Sequence, residues 1–369
     1  MGYLLRTAFP APSIFLARPE AVPGGRALAV KDLLDTAGLV TTYGSSFFRD
    51  HVPARSAEAV ISLEAAGWAT VGKTNLHEFA YGITSQNPHY GWVPNPVDPD
   101  RTPGGSSGGS AAALAIGAAE GALGTDSGGS IRIPAACCGV VGFKPTHGLV
   151  SASGSFPLAP TFDHVGPMTR SVATCEEMLV ALVPGHEPAR LESPAELTVG
   201  VLWADAAEPA IGAAVKRTAE AFPARQRVEL PDATAIGPVF MHEVAEIHRE
   251  RFATSPEGYG DNVRTKLGRC LAVTDAEYDA ALRRRRDYRE QLADLFERID
   301  LLITPTLPCP PPPAAVDELA VREQLIRFTF PFNATGAPAL ALPLHGTSVQ
   351  LVGPPGADAL VLAAGRALA

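Results

Sequence analysis

The stretch that decides the fold is residues 103–148, PGGSSGGSAAALAIGAAEGALGTDSGGSIRIPAACCGVVGFKPTHG. Two loops of Gly and Ser lie on either side of an Ala-rich segment that is typical of a helix, residues 110–119. Consecutive glycines let successive backbone N–H groups converge on one point, as an oxyanion hole requires. A serine in such a loop that faces a second serine and a lysine would be an activated nucleophile. The residues alone leave other interpretations open, because Gly-rich loops also bind phosphate and serine is a common small filler there.

Two short motifs compete with this interpretation. Residues 67–74, GWATVGKT, formally match the phosphate-loop pattern, but a helical pattern precedes them, and Trp, Ala, Thr and Val favour a strand over an open turn. Residues 104–108, GGSSG, match the nucleophile-elbow pattern, but the PVDPDRTP that precedes them cannot be the required central strand. We therefore predict a helix, a turn and a buried strand at the first motif, and no elbow at the second.

The rest of the chain alternates between strand and helix patterns, which predicts an α/β fold. Short apolar runs predict strands at 27–30, 68–71, 140–143, 149–150, 198–203 and 301–304. Helical spacing predicts helices at 56–66 and 358–368 and a mainly helical stretch over 207–295. Gly, Pro, Asn and Ser dominate 82–110, which predicts a long functional loop there, and 121–133 is again rich in Gly and Ser and is interpreted as a second loop.

Composition narrows the class of function. The 369 residues carry 30 basic and 39 acidic side chains, and the net charge of −9 argues against general affinity for nucleic acid or an anionic membrane. Five cysteines without a CxxC pattern or a Cys/His cluster predict neither a disulfide framework nor a zinc site. The sequence shows neither a signal-peptide pattern nor an uninterrupted apolar stretch of membrane-spanning length, so we expect a cytoplasmic location.

Residues 103–148 closely resemble the signature of the amidase signature family. Further matches are LAVKDLLDTAG at 28–38, VGKTNLHEF at 71–79, DHVGPMTR at 163–170 and FPFNATGAP at 330–338. The resemblance covers 26–180 and 300–369. It implies one large α/β/α domain over 1–369, with a central mixed twisted sheet covered by helices on both faces. Within that domain we expect an N-terminal arm at 1–25, a mainly helical variable segment at about 185–295, and a return to the core at 300–369.

The resemblance also implies a Ser–cis-Ser–Lys triad. The nucleophile is the last serine of GTDSGGS, Ser130, and the cis-serine is the first of the GGSSGG pair, Ser106, which lies 24 residues earlier, the family's usual spacing. The catalytic lysine of the family follows an apolar strand and precedes an acidic residue, which selects Lys31. Lys73, in the conspicuous Gly-Lys-Thr-Asn motif, and Lys144 are interpreted as structural.

The implied mechanism needs a lysine whose pKa is lowered to about 7–8 so that it can act as a base. Neutral Lys31 would take a proton from Ser106, which takes one from Ser130 as that serine attacks the amide carbonyl. The resemblance places the oxyanion hole at the backbone N–H groups of Ser127, Gly128, Gly129 and Ser130, and it implies no metal or organic cofactor.

The remaining site residues follow from the same resemblance. Asp126 is expected to brace the glycine loop, and Ser107 to support the cis-serine network. Ala80 and Tyr81 fall where relatives line the acyl pocket. Arg132 is either a substrate-binding residue, as in some relatives, or part of a structural ion pair under the loop.

Three functions fit these residues. The first is a stand-alone amidase that acts on a small-molecule amide, binds no nucleic acid or membrane, and could form a homodimer as relatives often do. The second is an amidotransferase subunit that releases ammonia from glutamine for a tRNA-dependent partner complex; such subunits are typically longer, which favours the first. The third, a non-catalytic interaction module, is disfavoured because Lys31, Ser106 and Ser130 are all present.

Overall fold

The computed structural model describes residues 13–22 and 24–369. Its strands are β1 (Phe15–Ala17), β2 (Arg26–Lys31), β3 (Trp68–Thr74), β4 (Gln86–Asn87), β5 (Gly91–Trp92), β6 (Gly121–Asp126), β7 (Val141–Lys144), β8 (His164–Thr169), β9 (Thr198–Val201), β10 (Ala224–Arg227), β11 (Leu301–Pro305), β12 (Ala339–Leu344) and β13 (Thr347–Val352). Its α-helices are α1 (Glu58–Ala65), α2 (Gly108–Ala115), α3 (Arg132–Cys138), α4 (Val172–Leu182), α5 (Pro209–Ala219), α6 (Gly237–Thr254), α7 (Asp261–Cys270), α8 (Asp275–Phe296), α9 (Glu318–Ile326), α10 (Phe330–Thr335) and α11 (Asp358–Leu368).

Eleven strands of the described chain form one mixed sheet in the order β1-β3-β2-β6-β8-β7-β12-β13-β11-β9-β10. β2 runs parallel to both β3 and β6, whereas β6 runs antiparallel to β8. The predicted α/β fold with a central mixed sheet is therefore confirmed. The carboxyl ends of β2 and β6, the third and fourth strands in this order, lie side by side, and the loops that follow these strands must meet there.

Alternation along β2 shows how the two faces of the sheet are covered. Leu28 and Val30 belong to a large core cluster that also contains residues of α1, α4, α5 and α11. Ala29, on the opposite face, packs in a separate cluster with residues of α2 and α3. Because successive side chains of a strand point to opposite faces, helices cover both sides of the sheet, as expected. The smaller residues on the α2 face let these two helices approach the strands closely.

The interpretation of 121–133 as a loop throughout is wrong at its beginning, because β6 occupies the first six positions. These residues are buried, and their small size reflects close packing. A Cβ atom on Gly121 would lie 2.5 Å from Met178 Sδ and 2.7 Å from Trp68 Cζ3. The absence of a side chain at Gly121 thus leaves space for Met178 and Trp68. The sequence pattern predicted a loop here because it does not show which side chains pack against the glycine.

Other boundaries differ in smaller ways. The strand predicted at 198–203 ends at Val201, because Trp203 adopts a left-handed conformation with φ 57° that a strand cannot continue through. Residues 149–150 form no strand, and β8, β10, β12 and β13 are among the strands that were not predicted. The first motif behaves as expected: α1 is followed by the fully buried strand β3.

The segment 185–295 is mainly helical, as predicted, and contributes α5 to α8 together with β9 and β10. Residues of α6, α7 and α8 pack in a third core cluster with Phe79, Tyr81 and Phe330. This cluster lies next to the loops that follow β3 and precede α10, so the variable segment contributes directly to the surroundings of the site.

The expected N-terminal arm is only partly within the described chain, since residues 1–12 and 23 lie outside it. Within the arm, β1 pairs antiparallel with β3 at one edge of the sheet. Of the helices in the described residues, none has the length and apolar character needed to cross a membrane.

Candidate active site

The candidate site forms at the carboxyl ends of the neighbouring strands β2 and β6. Lys31 is the last residue of β2, and Ser106 lies in the loop that leads into α2. Ser130 ends the glycine loop between β6 and α3. The parallel pairing of Val30 with Leu123 brings the ends of β2 and β6 to the same edge of the sheet. The three residues predicted as a triad therefore come from three neighbouring segments of the fold.

Lys31 is completely buried and contacts hydroxyl groups rather than a carboxylate. Its Nζ lies 2.7 Å from Ser106 Oγ and 2.7 Å from Thr125 Oγ1. Burial lowers the pKa of Lys31 from 10.5 to about 7, against the opposing charges of Asp126 and Asp163. A substantial fraction of this amine is thus neutral at pH 7, and the neutral form can accept a proton from Ser106.

The loop around Ser106 is closely held. The Gly105–Ser106 peptide is cis. Ser85 Oγ donates to the Gly104 carbonyl at 2.8 Å and accepts from the Gly108 N–H at 3.1 Å. Ser107, the residue after Ser106, donates its backbone N–H to the Ser130 carbonyl at 3.1 Å, and this hydrogen bond joins the two Gly/Ser loops. The predicted supporting residue Ser107 also bonds β6, since its Oγ lies 3.2 Å from the Thr125 carbonyl.

Ser130 lies at the edge of the buried site, and its hydroxyl has no partner among the described residues, Ser106 included. Its side chain is not completely enclosed, at 6% exposure of the residue. The backbone N–H groups of Ser127, Gly128 and Ser130 also have no acceptor within the described part of the protein. These three donors are free to bind an oxyanion.

The fourth predicted oxyanion donor is already engaged. The Gly129 N–H donates to Asp126 Oδ1 at 2.7 Å, so it braces the loop instead of facing a substrate. Gly129 has φ +130°, and a Cβ there would lie 2.3 Å from Thr329 Oγ1. The structure thus removes Gly129 from the candidate oxyanion hole.

Asp126 and Arg132 form a buried ion pair beneath the loop. Arg132 Nε and Nη2 each lie 2.9 Å from a carboxylate oxygen of Asp126. Burial alone raises the pKa of Asp126, but the charge and hydrogen bonds of Arg132 outweigh it and hold this pKa below its ordinary range. Arg132 also donates to the side chains of Gln350 and Asn333 and to the Thr329 carbonyl. With no exposed surface, Arg132 matches the structural alternative and not the substrate-binding one.

Lys73 has different neighbours from Lys31. It donates to the Leu34 carbonyl and to Thr36 Oγ1, and its Nζ lies 3.7 Å from Asp32 Oδ1. Burial lowers the pKa of Lys73 to about 8 and raises that of Asp32 to about 6, while the two opposite charges counteract both shifts. Lys73 thus pairs with a buried carboxylate and contacts neither serine of the site.

Of the two predicted acyl-pocket residues, Tyr81 borders a cavity, whereas Ala80 is buried and does not line it. The cavity has a volume of about 510 Å³ and is also lined by Phe240 and Phe330. A Cβ atom on Gly128 would lie 3.8 Å from the Phe330 ring, so the cavity adjoins the glycine loop through this side chain. The Tyr81 hydroxyl lies 3.0 Å from Cys270 Sγ on α7, which shows that the variable segment helps to form this wall.

Several site residues were not found from the sequence. Thr125 is the second hydroxyl partner of Lys31, and Asn333 Nδ2 donates to both the carboxylate and the carbonyl of Asp126. Thr329 Oγ1 donates to the Gly128 carbonyl at 2.7 Å. The signal for Thr125 was its place directly before DSGGS, and that for Asn333 was the matched segment FPFNATGAP. No group of three or more His, Cys, Asp or Glu side chains suited to a metal occurs within residues 13–22 and 24–369.

Comparison with known proteins first defines the class. The chain is 34% identical over 402 residues to a glutamyl-tRNA(Gln) amidotransferase subunit of Natronomonas pharaonis, covering 93% of this chain and 95% of that protein. It is 35% identical over 393 residues to the 1-carboxybiuret hydrolase subunit of a Pseudomonas species, covering 95% and 85%. The crystal structure of an amidase superposes with a TM-score of 0.85 at 37% identity, covering 93% and 83%. These relatives are amide-processing enzymes.

The Amidase family model matches residues 24–362. The chain therefore belongs to the Amidase family, the amidase signature enzymes, as the resemblance of 103–148 implied.

Proposed function

We propose that the protein hydrolyses a carboxamide through an acyl-enzyme on Ser130. The observation that carries this proposal is the 2.7 Å contact between a buried, partly neutral Lys31 and Ser106. Lys31 takes the proton of Ser106 while Ser106 takes that of Ser130, and Ser130 Oγ attacks the amide carbon. The resulting oxyanion accepts hydrogen bonds from the free N–H groups of Ser127, Gly128 and Ser130.

The proton then returns through Ser106 to the nitrogen, and the C–N bond breaks to release ammonia or an amine. Water, deprotonated along the same route, attacks the ester carbon and frees the carboxylate and Ser130. The steps balance with water as the sole co-reactant.

A fluorophosphonate probe tests the nucleophile. The wild-type protein should be labelled on Ser130, as located by peptide mass spectrometry, and Ser130→Ala should abolish labelling. Ser110→Ala is the matched control, because Ser110 lies on α2 within the same span but bonds Thr74 and the Leu123 carbonyl; it should keep the label. A folded wild-type protein that stays unlabelled would contradict the proposal.

We also infer that glutamine is a candidate substrate and that the chain is a candidate subunit of a complex with a protein partner. Both curated relatives above are named as subunits, and one is named as an amidotransferase subunit. Amidotransferase subunits were expected to be longer than this chain, but the chain covers 95% of the Natronomonas relative, so length does not argue against this function. These names favour the amidotransferase alternative over an enzyme that works alone as a homodimer.

An ammonia-release assay separates the two functions. Glutamine should be the preferred substrate of an amidotransferase subunit, with turnover that rises when a partner is present. A stand-alone amidase should act at full rate on small aliphatic or aromatic amides without any partner. Light scattering on the purified chain would show whether it forms the homodimer that the second outcome favours.

A further inference from the structure

Asp163 faces the start of the glycine loop from the neighbouring strand. It directly precedes β8, and the antiparallel pairing of Asp126 with His164 places it opposite Ser127. Ser127 Oγ donates to Asp163 Oδ1 at 2.5 Å. Asp163 belongs to the matched segment DHVGPMTR, to which the triad mechanism assigns no role. Its position therefore links β8 to the first residue of the candidate oxyanion hole.

All the hydrogen-bond contacts of the Asp163 carboxyl come from donors. Leu158 donates its backbone N–H to Oδ2 at 2.9 Å, and Ala159 donates its own to both oxygens at 3.1 Å. Together with the Ser127 hydroxyl, every partner is a donor, which favours the charged form. The 2.5 Å distance is typical of a hydroxyl bound to a carboxylate. Among the described side chains no Lys, Arg or His forms an ion pair with Asp163, in contrast to Asp126 and its Arg132.

This charge lies within electrostatic range of the base. Lys31 bonds Thr125, two residues before Ser127 on the same strand and loop. Burial lowers the pKa of Lys31, and two carboxylates, Asp126 and Asp163, act in the opposite direction. Burial raises the pKa of Asp163 above its ordinary value, and its hydrogen bonds and the charge of Lys31 offset only part of that rise. Asp32, the residue after Lys31, forms its ion pair with Lys73 and not with Lys31.

We propose that Asp163 is a positioning residue of this reaction, which fixes Ser127 for oxyanion binding and places an unpaired negative charge near Lys31. The proposal rests on the proposed function of Ser130. Two consequences can be separated. The hydrogen bond to Ser127 orients an oxyanion donor, and the charge sets the pH at which the base becomes neutral.

The experiment measures the rate of Ser130 labelling by a fluorophosphonate from about pH 5 to about pH 9. In the wild type, this rate should rise with pH through the Lys31 pKa of about 7. Asp163→Asn keeps an acceptor for Ser127 but removes the charge, so the pKa of Lys31 falls and the rise should move to lower pH. Ser127→Ala keeps the charge and removes the hydrogen bond. Its plateau rate should fall about tenfold, less than the loss of a whole oxyanion donor, with the rise unmoved.

Asp358→Asn is the matched control. Asp358 is also buried, and it accepts the backbone N–H and hydroxyl of Thr146 at 2.7 and 2.5 Å, but neither residue contacts the triad. It should change neither the plateau nor the rise. Thermal melting establishes that each variant is folded.

A folded Asp163→Asn protein with an unshifted rise would overturn the proposal. If this variant does not fold, the decision falls to Ser127→Ala, where a lower plateau supports the proposal and an unchanged one overturns it. Failure of the wild type to label would instead contradict the function of Ser130, so the two failures are distinguishable.

Discussion

Replacing Lys31 by Met should stabilise the protein while abolishing its reaction. Lys31 is fully buried, and burial lowers its pKa from 10.5 to about 7. At about 1.4 kcal/mol per unit of pKa, this shift costs about 4 kcal/mol of folding free energy at pH 7. Met has a similar shape and no charge, but the substitution removes two hydrogen bonds, to Ser106 and Thr125, worth about 1 kcal/mol each. The expected net gain is about 2 kcal/mol.

The pH dependence of this gain follows from the sign of the shift. Between pH 7 and 10.5 the unfolded chain holds the Lys31 proton and the folded protein does not, so wild-type stability rises with pH. The advantage of Lys31→Met should therefore be largest at or below pH 7 and shrink towards pH 10.5. Urea unfolding followed by tryptophan fluorescence at two pH values measures it.

Lys73→Met is the matched control, and it should lower the free energy of unfolding, whereas Lys31→Met should raise it. Lys73 lies 3.7 Å from Asp32, and removal of the lysine leaves a buried carboxylate without its cation. Breaking such a pair costs about 3 kcal/mol. A destabilised Lys31→Met protein at pH 7, or a gain that does not change between neutral and alkaline pH, would refute the reasoning.

Two further substitutions test the support of the glycine loop. Arg132→Leu leaves the buried Asp126 carboxylate unpaired and should lower the free energy of unfolding by about 3–5 kcal/mol, measured by urea unfolding; a stable variant with only a raised KM would show instead that Arg132 binds substrate. Gly129→Ala places a Cβ 2.3 Å from Thr329 Oγ1 at φ +130°, whereas Gly128→Ala brings it no closer than 3.8 Å to Phe330. The first should lose Ser130 labelling and the second should retain it; equal labelling of the two variants would contradict the packing argument.

The central sheet and the candidate positions Lys31, Ser106 and Ser130 followed from the family resemblance, because each of the three residues lies in a contiguous matched motif. The proposed role of Asp163 did not follow from the sequence, since its contact with Ser127, 36 residues away, depends on the register between β6 and β8. The same limit applies to Asn333, which reaches Asp126 from 207 residues away. Such contacts are fixed by tertiary packing, so the matched segments that contain Asp163 and Asn333 gave no indication of their partners.

Gly129 shows a different limit. The sequence indicates that a run of Ser and Gly exposes several N–H groups, but only the fold determines which of them turn inwards. Asp126 Oδ1 accepts the Gly129 N–H, and Asp126 Oδ2 accepts that of Ile131 at 3.1 Å. The Asp126 carboxylate thereby determines which N–H donors remain free for a substrate. The composition of the loop alone overestimates the number of these free donors.

The buried lysines show that a lowered pKa is not enough to identify the candidate base. Four of the five lysines are buried, namely Lys31, Lys73, Lys144 and Lys266, and burial lowers the pKa of each. A lowered pKa therefore does not single out the base. Two of the four are paired with Asp32 and Glu318, and Lys144 donates to the Pro145 carbonyl. Of these four, Lys31 is the one that contacts a triad serine. A buried lysine without a carboxylate partner is costly to the fold, and its contact with Ser106 gives the physical reason for keeping that cost.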